Sequence, residues 1–127
     1  MDPLVTVHVI AAVALLASAI AVGAWGLARA RRIGSPAADR EGRWFSQLLQ
    51  LSHTLVLATG LLGLALLLEG HETEDPLHLR VYGPFMVVAI VAAYGYRTRN
   101  AVVNIRVFAA ASLVIAALGL RAFWTGG

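Results

Sequence analysis

Three histidines stand inside long apolar stretches of this 127-residue chain: His8, His53 and His78. Imidazole ligates metals and exchanges protons near neutral pH, so each position is a candidate for chemistry. An ionisable side chain surrounded by apolar sequence is also costly to keep, which makes it a functional hypothesis by default. At the helical rise, His8 lies roughly 12 Å and His78 roughly 14 Å outward of the midpoints of their stretches. The same spacing separates His8 from Arg29 and His78 from Arg99. An aromatic–glycine pair precedes each of these arginines, Trp25–Gly26 and Tyr94–Gly95. Two imidazoles at equal depth on diagonal helices of a bundle can take one iron between them. Arg80 can pair with a haem propionate, Tyr82 and Phe85 can stack on the ring, and Ala12 and Ala19 leave room for it. The other reading of His8 and His78 is that both are solvated at the membrane boundary.

On His8 and His78, within four helices, the chain resembles the four-helix membrane b-type cytochromes and the haem A synthase family. The resemblance implies haem b held between His8 and His78 as metal ligands. It departs in one respect. Many members of those families hold two haems on four histidines, whereas this chain offers only His53 at the other depth.

His53 lies roughly 5 Å inward of its stretch's midpoint. Ser46, Gln50, His53 and Gly60 recur at helical spacing, with Gln47 and Thr54 beside them. His53, Gln50 and Gln47 are therefore expected to face protein. They would serve a proton path, a quinone headgroup site or a single axial ligand, or simply an interhelical hydrogen-bond cluster. Asn104 and Arg106 stand at a depth from which they could reach it. His71, His78, Glu69, Glu72, Glu74 and Asp75 fall close together in sequence. Such a set could hold Zn or Cu(II), although it matches no established spacing.

Cysteine is absent, which excludes disulfides, thiolate metal sites, covalent haem attachment and cysteine nucleophiles. There is no glycine-rich phosphate loop and no Ser/His/Asp constellation. No carboxylate lies at mid-stretch, which disfavours a pump or a cation-coupled transporter. The chain leans away from being an enzyme.

The elements that must position these residues are plain. Hydrophobic residues make up 59% and charged residues 13%, against about 25% charged in soluble domains. The apolar residues come in four blocks, about residues 4–28, 44–68, 77–96 and 101–124. Each approaches or exceeds the ~20 residues that cross a bilayer as a helix. Short links between them predict one all-α domain, residues 1–127, built as an up-and-down antiparallel bundle of four transmembrane helices. Gly23, Gly26, Gly60 and Gly63 should let helices approach closely, and Pro84 should kink the third span. Trp25, Trp44, Tyr94, Tyr96, Phe123 and Trp124 are expected at the interfaces.

Arg29, Arg31, Arg32, Arg40, Arg43, Arg97, Arg99 and Arg106 fall at one end of the blocks, leaving only Arg80 and Arg121 for the other. The positive-inside rule then puts that end in the cytoplasm and both termini outside. Asp2 precedes the first block and the arginines follow it, unlike a cleavable signal peptide. The arginines form no solvent-facing domain, so nucleic acid is not an expected partner. The expected setting is the cytoplasmic membrane, as a multi-pass protein with the lipid bilayer as its partner. A larger membrane complex or a homo-oligomer would complete it. Three functions stay open: a cofactor-free structural or accessory subunit, a haem-binding electron carrier, and an oligomeric channel or transporter.

Overall fold

A computed structural model of the chain describes residues 3–35, 39–70 and 83–125, with the side chains of 83 and 123–125 excepted. It holds four helices: α1 (Pro3–Ile33), α2 (Asp39–Leu68), α3 (Gly83–Gly95) and α4 (Ala101–Thr125). No strand occurs among the described residues. An apolar run in lipid must satisfy its backbone polar groups within itself, and the helix does so. Proline at the first position of α1 loses no hydrogen bond there. Asp39 and Glu41 stand in the first turn of α2, where carboxylates meet the positive end of the helix dipole. Gly70, at φ +90°, takes the left-handed conformation that follows the end of α2.

α1, α2 and α4 are long and apolar enough to cross a membrane. The described part of α3 has 13 residues, about 20 Å at the helical rise, which is less than the ~30 Å hydrocarbon core. The remainder of the expected third span, residues 77–82, lies outside the described residues. Pro84 is the second residue of the described part of α3, and the turns before it, on which the expected kink depends, lie outside the described residues. α1 and α2 both run past their apolar blocks into the expected linker, to Ile33 and from Asp39. α1 is locally non-helical at Arg29, with φ −129° and ψ 26°.

Around the bundle the order is α2, α1, α4, α3, with α1 and α4 in the most extensive contact and α2 touching α3 only marginally. Two small residues explain the tight pair. A Cβ on Gly26 would stand 2.6 Å from the Ala109 Cβ, and one on Gly23 would collide with Leu113. Gly60 was expected to let a helix approach closely, but nothing lies within 4 Å of such a Cβ there. One apolar cluster joins all four helices through Leu15, Ala19, Val56, Met86, Ile115 and Ala116. A second, nearer the arginine-rich end, centres on Val22, Ile33 and Phe45. Trp25, expected as an interfacial anchor, is half-buried and packs against this second cluster, edge-on to Phe45 at 5.5 Å. Among the described residues the buried polar ones are Ser18, Ser52 and Ser112. Ser18 donates to the Leu15 carbonyl at 3.0 Å. The Ser52 and Ser112 hydroxyls have no partner among the described residues.

Candidate functional site

The chemistry-bearing side chains gather at the arginine-rich end. α1 delivers Arg29 there, and α2 delivers Glu41 to meet it at 2.9 Å. Arg32 reaches the same carboxylate at 4.0 Å. Glu41 raises the Arg29 guanidinium's hold on its proton, first through the hydrogen bond and then through its charge. The pair clasps the two helices where both have left the apolar stretch. At such exposure it adds little stability, and salt screens it.

The connection from α3 to α4 is fixed by side chains. Asn104 Nδ2 donates to the Thr98 carbonyl at 2.8 Å, and the Thr98 N–H donates to Asn104 Oδ1 at 2.7 Å. The Thr98 hydroxyl also donates to Asn104 Oδ1, at 3.0 Å. Asn100 Oδ1 accepts from the Val103 N–H at 3.1 Å and so caps α4. Asn104 is thereby committed to the turn and does not join His53. Arg106 is exposed.

Between these two ties a cleft of about 440 Å³ opens. Phe45, Leu49, Ile105 and Phe108 give it an apolar wall, and Ser35, Asp39, Ser46 and Arg97 give it a polar mouth.

His53 stands one helical turn beyond Leu49 and is half-buried. Its ring meets Tyr94 edge-on at 5.8 Å and Phe108 at 6.1 Å. Tyr94 and Phe108 meet each other at 4.9 Å. Tyr94 Oη lies 3.4 Å from His53 Nδ1, a long hydrogen bond that ties α3 to α2. Sequence reasoning took Tyr94 for an interfacial anchor and missed this contact, because nothing local links residues so far apart in the chain.

Gln47 and Gln50 do not face the interior as expected. Both are exposed, on the side of α2 opposite its buried residues Phe45, Ser52 and Val56. Gln50 Nε2 reaches Ser46 Oγ at 3.5 Å. The Gln47 side chain makes no hydrogen bond among the described residues.

His8 is half-buried near the start of α1. His78, Arg80 and Tyr82 lie outside the described residues, as do His71 and the acidic segment Glu72–Asp75. The haem pair, through His78, and most of the loop metal site therefore lie outside the described residues. Ala19, expected to leave room for a ring, is fully buried among Leu15, Val56, Met86 and Ile115. Phe85 is exposed. Among the described residues no three His, Asp or Glu side chains converge to hold a metal.

No family model matches the chain. No curated protein and no solved structure matches it.

Proposed function

We propose that the chain is a four-span integral membrane protein of the cytoplasmic membrane, serving as a structural or accessory subunit of a membrane assembly with no cofactor of its own. The observation that carries this reading is the outward placement of Gln47 and Gln50 on a membrane-crossing helix. Within the chain these two carboxamides meet only the long Gln50–Ser46 contact, and in membranes such groups act as polar glue between helices. A neighbouring helix supplied by the assembly covers them. The gathering of arginines at one end supports an arginine-rich cytoplasmic face, and the even number of spans returns the C-terminus to the N-terminal side.

Extraction from native membranes in a mild detergent tests the subunit reading. On a native gel the chain should migrate well above its 13.5 kDa monomer in the same detergent. A Gln47→Leu, Gln50→Leu variant should shift toward the monomer. Wild-type protein that extracts as a monomer contradicts the reading.

A further inference from the structure

α2 carries two apolar seams on opposite sides, and the fold occupies only one. The occupied seam includes Phe45, Ser52, Val56 and Leu66. The other begins with Gln47, Gln50 and Thr54, all exposed. It continues through Leu57, Leu61, Leu64 and Leu68, whose exposures run from 45% to 80%. Its steps alternate three and four residues without a break. This is the spacing by which one helix lays a continuous stripe against another. A face that only met lipid would have no need of amides in that register.

We infer that this seam is the contact between two copies of the chain, packed α2 against α2; the inference rests on the subunit reading above. Every copy enters the membrane in the same direction, so two α2 helices run parallel with identical residues at identical depths. A two-fold contact then requires a patch that complements itself. The leucines do so by packing. A carboxamide does so by carrying both a donor and an acceptor, so Gln50 can bond Gln50 of a second copy, and Gln47 likewise. A polar pair within such a seam also fixes the register of the two helices. The seam holds no charge from Gln47 to Leu68. The same spacing continues back to Arg43, where two guanidiniums would repel, so close contact ends at the membrane surface.

The chain has no cysteine, so single-cysteine variants of the full protein test this directly. Leu57→Cys, Leu61→Cys and Leu64→Cys should form a disulfide-linked species of twice the chain's mass under mild oxidation in native membranes. Val91→Cys on α3 and Val114→Cys on α4, equally exposed, should not. Adding Gln50→Leu should lower the linked fraction at Leu61→Cys about three- to tenfold, the range of one interhelical hydrogen bond in a membrane. Equal linking at seam and control positions overturns the inference, as does no linking at the seam. A large native complex without seam linking would refute self-association and leave the subunit reading standing.

Discussion

Gly26→Val should unfold the bundle at markedly lower denaturant than the wild-type chain. The added side chain meets the Ala109 Cβ at 2.6 Å, with the Phe45 ring 3.1 Å away on the other side. Neither neighbour has room to withdraw. Ala109 is fully buried on α4, and Phe45 is held in its cluster by Trp25. Valine can enter only by forcing α1 and α4 apart, and theirs is the most extensive contact in the molecule. Overpacking of this kind costs about 1–3 kcal/mol, and the upper end applies where backbone must move. Titration of the purified protein with a denaturing detergent, followed by loss of helix packing, measures it. Gly60→Val is the control. Nothing lies within 4 Å of its Cβ, so its midpoint should stay near that of the wild type.

Asn104→Leu should loosen the joint between α3 and α4. The substitution removes three hydrogen bonds at once, two donated by Thr98 and one accepted by its carbonyl. Each contributes about 1 kcal/mol net, and the Thr98 groups left behind can partly recover bonds to water at the exposed turn. The expected loss is therefore about 1–3 kcal/mol. α3 packs on α4 through Met86 and through Tyr94 against Phe108, while its contact with α2 is marginal apart from Tyr94 on His53. Arg97 and Arg99 in this turn are both exposed, which makes trypsin a direct probe. Cleavage there should accelerate severalfold in Asn104→Leu and remain at the wild-type rate in Arg106→Gln. Equal rates in the Asn104 variant and the wild type would show that the turn is held by something else.

Some of this architecture was legible in the residues alone. Uninterrupted apolar runs announce helices in membranes, because the backbone has no other way to pair there. Gly23 and Gly26, small residues inside such a run, marked the α1 surface that α4 approaches. What the residues could not reveal was phase. α2 has three-four spacing on both of its faces, so periodicity alone does not say which one meets the bundle. The opposing surfaces of α1 and α4 decide it, and they select Phe45, Ser52 and Val56, which sends Gln47 and Gln50 outward. Trp25 shows the same difficulty. An amphipathic ring near a span end fits an interface or a core equally well, and here Phe45 on the neighbouring helix draws it inward. Tyr94 beside His53 is a contact between different helices, invisible to any local pattern.

The central claim is that the chain crosses the membrane four times, and its hardest step is the third crossing, through α3. Because the chain lacks cysteine, one thiol can be placed at a time in the full protein: Ala38→Cys, Glu74→Cys, Arg99→Cys and Gly126→Cys. A membrane-impermeant thiol reagent is then applied to intact cells and to permeabilised ones. Four spans with the arginine-rich end inside predict that Glu74→Cys and Gly126→Cys label in intact cells. Ala38→Cys and Arg99→Cys should label only after permeabilisation. If Glu74→Cys and Arg99→Cys label alike, α3 does not cross the membrane and the four-span account is wrong.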